Sequence, residues 1–146
     1  MQKSKQGFTL LELTLVLGIL SIVSVGAIIG VNSIDRRTLT NAVLTLQADL
    51  HYAQRRAITE GRRYGIVFEP LNSRYRIINV DANLTVRTVY LPNGITLHTN
   101  RAQIIYLPRG TAFSGATITL LSRQHRQQLT ANVGGGRIHI EDMTRA

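Results

Sequence analysis

Glu12 is the only ionisable side chain among the 24 residues from Phe8 to Val31, in a run that opens Gly7-Phe8-Thr9-Leu10-Leu11-Glu12-Leu13. A carboxylate at the centre of a bilayer costs about 2–3 kcal/mol of insertion energy. An acid kept at that cost marks a functional site and needs a cationic partner. As a helix the run would be about 36 Å long, enough to cross a hydrocarbon core of about 30 Å with some tilt. A removable secretory signal, with Val25-Gly26-Ala27 as its cleavage site, fits less well. Such a signal has an apolar core of about 7–15 residues and no acid inside it. A retained helix is therefore expected. Lys3 and Lys5 precede the run, and Asp35, Arg36 and Arg37 follow it, so both flanks are net positive and charge alone leaves the orientation open.

No other constellation in the chain has the spacing of a catalytic or metal site. His51, His98, His125 and His139 are scattered, without an HExxH or HxxxH pair. Neither Ser114 nor Ser122 sits in a GxSxG nucleophile elbow. Gly134-Gly135-Gly136 lacks the following Lys-Ser/Thr of a phosphate loop and reads as a flexible turn before a last strand. Asp81 is isolated and Glu141-Asp142 is a single pair, too little for a calcium loop. The expectation is a non-enzymatic protein with no cofactor and no metal.

Charge is the second signal. The chain carries 17 basic residues against eight acids, and every base after Lys5 is an arginine. Arginine pairs bidentately with phosphate or carboxylate. Arg101, Arg109, Arg123, Arg126 and Arg137 fall mostly at expected turns in the C-terminal half. Two readings stay open: a solvated surface that pairs with acidic subunits, or a phosphate-binding surface whose affinity falls with salt. Three phenylalanines and five tyrosines offer few stacking platforms for bases.

The elements that must carry these residues divide the chain in two. After the apolar run, Leu39, Val43, Leu46, Leu50, Ala53 and Ala57 recur at helical spacing and form one stripe. Asn41, Gln47, Asp49, Arg55 and Arg56 are expected on the surface around it. Gly61 is a natural stop. No proline interrupts the two segments, which together would make a helix of roughly 80 Å. Gly26 and Gly30 have the spacing of a close-packing pair, a spacing that chance also gives. From Arg63 the pattern turns to short β-rich runs. Strands are expected at Tyr64–Glu69, Arg74–Val80, Thr85–Leu91, Ile95–Thr99, Gln103–Leu107, Ala116–Leu121, Gln128–Ala131 and Arg137–Glu141. Ser122–Gln127 is expected to be an exposed hairpin loop. The order suggests an α+β fold, a long helix whose distal half packs on antiparallel sheet. About 115 residues outside leader and span suffice for one modest core. The absence of cysteine removes any disulfide framework.

Lys5-Gln6-Gly7 followed by Phe8-Thr9-Leu10-Leu11-Glu12-Leu13 resembles the processing signal of type IV pilins and of the pseudopilins of type II secretion. The resemblance implies the pilin fold, with a membrane half and an amphipathic half to its helix. It also implies that a prepilin peptidase cuts between Gly7 and Phe8 on the cytoplasmic side and methylates the new Phe8 amine. Glu12 would then pair with the N-terminal amine of a neighbouring subunit. The expected divisions are a leader at 1–7, a transmembrane and filament-core helix at 8–31, an amphipathic half at 32–62 and a β-rich part at 63–146. The expected location is the inner membrane, single-pass, N-terminus cytoplasmic and globular part outside (periplasmic in a diderm), then the filament. Partners would be other pilins, the peptidase and the membrane.

Many major type IVa pilins carry a C-terminal cysteine pair that this chain lacks, which points to a minor pilin or pseudopilin. Leu50-His51-Tyr52-Ala53-Gln54-Arg55-Arg56-Ala57-Ile58 resembles the helix end of the H-type group, GspH/FimT. Tyr106-Leu107-Pro108-Arg109-Gly110 and Gly136-Arg137-Ile138-His139-Ile140 resemble its later landmarks. Some pilus members of that group bind DNA through a basic C-terminal Gly-Arg-x-Arg-like segment. Here His139 stands at the last place, where that segment has an arginine. Arg109, Arg123, Arg126 and Arg137 are the candidate DNA or anion contacts, with DNA the candidate further partner. Secretion, motility and competence machines share the N-terminal device.

Overall fold

Thr9 caps the first helix: its Oγ1 accepts a hydrogen bond from the Glu12 backbone N–H at 3.2 Å, and helix α1 follows at Leu10–Glu60. A computed structural model describes residues 9–132 and 138–144, with the side chains of 23–34 and 142–144 outside the description. The chain divides after Ile34 into two units. In the first, Leu10, Leu11, Leu13, Leu15, Leu17 and Ile22 all lie exposed along the helix. Among the described residues no helix is long and apolar enough to cross a membrane. Part of the expected span, Phe8 and the side chains of 23–31, lies outside those residues, as do those of Gly26 and Gly30.

The second unit starts at Asp35 and holds the core. The expected helical stripe is buried throughout: Leu39, Leu46, Leu50, Ala53 and Ala57 are fully shielded and Val43 nearly so. Each large aliphatic side chain there contributes about 1.5–3 kcal/mol through burial. Gly61 ends the helix with φ +62°, a conformation glycine adopts without steric cost.

Eight strands follow among the described residues: β1 (Tyr64–Glu69), β2 (Arg74–Asn79), β3 (Leu84–Tyr90), β4 (Thr96–Thr99), β5 (Gln103–Tyr106), β6 (Ala116–Leu121), β7 (His125–Ala131) and β8 (Ile138–Thr144). They form two antiparallel four-stranded sheets, ordered β3-β2-β1-β5 and β4-β6-β7-β8. Alternation decides the faces. Tyr64, Ile66, Phe68, Tyr75, Ile77, Ile104 and Tyr106 turn inward from the first sheet, and Leu97, Ile118, Leu120 and Leu129 from the second. With the helix stripe they make a single hydrophobic core. Gly65 is needed where β1 crosses β5, because a Cβ there would stand 2.6 Å from the Ile104 carbonyl oxygen.

Three expectations are corrected. Asp49 is not a surface residue but 4% exposed, because it accepts a hydrogen bond from the Tyr75 hydroxyl and pairs with Arg87. The Ser122–Gln127 loop shrinks to a tight turn, since Ser122 N–H bonds the His125 carbonyl at 2.8 Å and Leu121 already pairs with Arg126. Strand β7 thus starts three residues earlier than expected, with Gln127 buried. The last strand runs on past Glu141 to Thr144, because it keeps a partner in β7 over that length, while Arg137, its expected first residue, lies outside the described residues.

Candidate functional site

The N-terminal turn is built by Thr9 and Glu12. Thr-x-x-Glu is the spacing of a capping box, in which the threonine hydroxyl takes up an otherwise orphaned helical N–H. That signal was available in the sequence, and it gives Thr9 a role the reading of Glu12 alone passed over. Glu12 is the acid of the first turn, where the helix dipole favours negative charge. Its carboxylate is exposed and has no hydrogen-bond or ion-pair partner among the described residues. The apolar Leu10, Leu11 and Leu13 surround it in sequence, all more than half exposed. An acid on so apolar a surface can leave water at low cost only against a cation. Gly7 and Phe8, the expected processing residues, lie outside the described residues.

The expected arginine contacts do not converge. Arg109 sits in the turn after β5, where the Gly110 carbonyl accepts a 2.7 Å hydrogen bond from Gln54 of α1. Arg123 lies in the β6–β7 turn and Arg126 within β7, both exposed. That hairpin docks elsewhere along the helix: the Gln127 amide reaches the Thr40 hydroxyl at 3.4 Å. Thr40 and Gln54 are separated by about 21 Å of helix rise. Arg137 lies outside the described residues.

Much of the remaining arginine is tied to acids. Glu69 is clamped by Arg74 at 2.6 Å and Arg76 at 2.5 Å. The Arg74 hydrogen bond, then Asn72, then Arg76 hold its carboxyl at a pKa of about 2. Arg63 grips Asp81 at 2.6 Å through side chain and backbone N–H, lowering that carboxyl too. At the end of the helix Arg56 meets Glu60 at 2.7 Å and lies over the rings of Tyr52 and Tyr64. Tyr64 donates to Glu60, which raises its pKa. The charge excess among the described residues therefore includes Arg37, Arg55, Arg62, Arg101, Arg109, Arg123 and Arg126, which have no ion-pair partner there. Those residues contain no group of three metal-ligating side chains.

A helix capped at Thr9, with Glu12 the one acid of its apolar run, followed by a helix-on-antiparallel-sheet domain, is the build of a pilin-like subunit. The family model for the type II transport protein GspH matches residues 42–135, and the chain belongs to that family. The prokaryotic N-terminal methylation motif matches residues 2–28. In structure the chain is similar to the type IV minor pilin FimU of Pseudomonas aeruginosa, with 18% identity over 73% of this chain and 90% of that one and a TM-score of 0.62. It is also similar to EpsH, the minor pseudopilin of the Vibrio cholerae type II secretion system, with 14% identity over 77% of this chain and 99% of that one and a TM-score of 0.61. At these identities the likeness speaks to the fold. No curated protein sequence matches the chain. The pilin fold is as expected, and the chain is a GspH-family protein with an N-terminal methylation motif.

Proposed function

We propose that this chain is a non-enzymatic structural subunit incorporated at or near the tip of a type II secretion pseudopilus or a type IV pilus-like filament. The observation that carries this reading is the methylation motif at residues 2–28 placed directly ahead of a GspH domain. In this reading residues 1–7 are a leader that the prepilin peptidase removes between Gly7 and Phe8, methylating the Phe8 amine. Residues 8–31 hold the subunit in the inner membrane with the N-terminus cytoplasmic. Residues 32–62 carry the helix into the β-rich part, 63–146, outside the cytoplasm.

Glu12 supplies the register. Four residues separate it from Phe8, about 6 Å of helix rise, so one subunit's carboxylate meets a neighbour's amine at a defined axial offset. Two charges taken out of water are tolerated only when each neutralises the other. An incoming helix at the wrong height leaves both unpaired, so incorrect registers are disfavoured. DNA capture by Arg109, Arg123, Arg126 and Arg137 gains less support, because Arg109 stands apart from the β6–β7 hairpin. Intact mass of the chain recovered from a peptidase-bearing membrane tests the reading. Loss of Met1–Gly7 with gain of one methyl is expected. A full-length, unmethylated chain would contradict it.

A further inference from the structure

One end of the second unit gathers apolar and basic side chains that the core does not use. In the β1–β2 connection, the 3-10 turn Pro70–Asn72 leaves Leu71 fully exposed, at 101%. Tyr90, at the end of β3, is 67% exposed, and the Leu91 N–H ties that strand end to the Ser73 carbonyl at 2.8 Å. A groove lined by Asn41, Ala42 and Thr45 of α1 and by Tyr90, Leu91 and Pro92 fixes this corner beside residue 41 of the helix. The β6–β7 hairpin, with Arg123 in its turn and Arg126 early in β7, lies at the same helix position through the Gln127–Thr40 contact. Arg36 and Arg37 precede it on α1. The acids nearby are Asp35, Asp142 opposite Gln127, and Glu69, which Arg74 and Arg76 already occupy.

We infer that this end rests on the bilayer surface while the subunit waits in the membrane, with Leu71 and Tyr90 at the headgroup boundary and Arg123 and Arg126 against anionic lipid. The inference rests on the proposed membrane span. An exposed leucine and tyrosine flanked by arginines have the chemistry of an interfacial contact, the rings and aliphatic stems entering while the charges stay at phosphate level. Anionic lipid adds electrostatic attraction to the arginines. Composition alone does not choose the end, since Phe113 is 75% exposed near the other one, by the turn that packs Gly110 against Ile58. The tether does choose. The second unit starts at Asp35, four residues after Val31, a reach of at most about 14 Å in any conformation. Ile58 lies 23 residues further along the helix of that unit, about 34 Å of rise. The end that cannot travel far from the bilayer is the one that carries Leu71, Tyr90 and the hairpin arginines.

The chain has no tryptophan, so single tryptophans report cleanly. Full-length Leu71→Trp and Phe113→Trp, both at exposed positions, are reconstituted into phosphatidylethanolamine–phosphatidylglycerol vesicles with brominated acyl chains. Leu71→Trp should shift to the blue and lose on the order of half its emission, while Phe113→Trp keeps its intensity. Adding Arg123→Glu and Arg126→Glu to Leu71→Trp should restore emission, as should replacing the anionic lipid by phosphatidylcholine. Equal quenching at both positions, or none at Leu71→Trp, overturns the inference. Flotation separates its failure from that of the anchor: vesicles that carry the chain with Leu71→Trp unquenched refute only the surface contact. A chain that does not float with vesicles refutes both.

Discussion

Replacing Asp49 should destabilise the second unit more than any surface substitution. Its carboxylate is 4% exposed, accepts the Tyr75 hydroxyl at 2.7 Å and pairs with Arg87. Tyr75 is 1% exposed, and burial raises the pKa of its phenol. Asp49→Ala leaves that O–H without an acceptor, at about 1–3 kcal/mol. Loss of the ion pair adds no more than about 1 kcal/mol, because the Arg87 side chain is 52% exposed and can turn to water. The sum is about 1–4 kcal/mol, a fall in melting temperature on the order of 10 °C for a domain of this size. Asp49→Asn keeps an acceptor for Tyr75 and should cost only about 1 kcal/mol. Urea and thermal denaturation of the full chain in detergent, followed by circular dichroism, measure both. An alanine variant within about 0.5 kcal/mol of wild type, or one more stable than the asparagine variant, would refute the reasoning.

Two further substitutions probe the sheets. Glu69 has its pKa lowered from the ordinary 4.5 to about 2 in the folded chain, so its contribution is fully present above pH 4.5 and is lost as pH falls towards 2. Glu69→Gln should therefore lower the urea midpoint at pH 7 and flatten the decline between pH 4.5 and 2; a decline as steep as in wild type counts against the arginine clamp. Gly65→Ala puts a methyl 2.6 Å from the Ile104 carbonyl oxygen and must push β1 away from β5. A loss of about 1–3 kcal/mol is expected in the same unfolding assay, and an unchanged midpoint would show that the strands part freely.

Local pattern carried the helix and most of the strands. The spacing of Leu39, Val43, Leu46, Leu50, Ala53 and Ala57 is a property of the helix alone, and all six are buried. Pattern failed where a distant partner decides. Asp49 is polar and looks solvated until Tyr75 and Arg87, more than 25 residues away, supply its bonds. Ser122–Gln127 reads as loop because its side chains are polar, but the Leu121–Arg126 pairing makes His125, Arg126 and Gln127 strand. The division into two sheets likewise depends on long-range pairing, such as β1 with β5. In the site, Glu12 was legible because an acid in an apolar run needs no structure to be noticed. The arginines were legible one by one but not as a surface, since only the fold separates Arg109 from Arg123 and Arg126.

Glu12 carries the central claim, and its effect on incorporation tests that claim most directly. Glu12→Ala keeps the apolar run and the Thr9 cap, so membrane insertion and cleavage before Phe8 should proceed as in wild type. Co-expressed with the other subunits of its filament and the peptidase, the variant should remain in the membrane fraction, while the wild-type chain appears in sheared filaments. The ratio of filament to membrane signal is the measurement, and a fall of at least about tenfold is expected from losing a neutralising partner in a dry interface. Equal incorporation of the two chains would contradict the account, because the acid would then play no part in assembly.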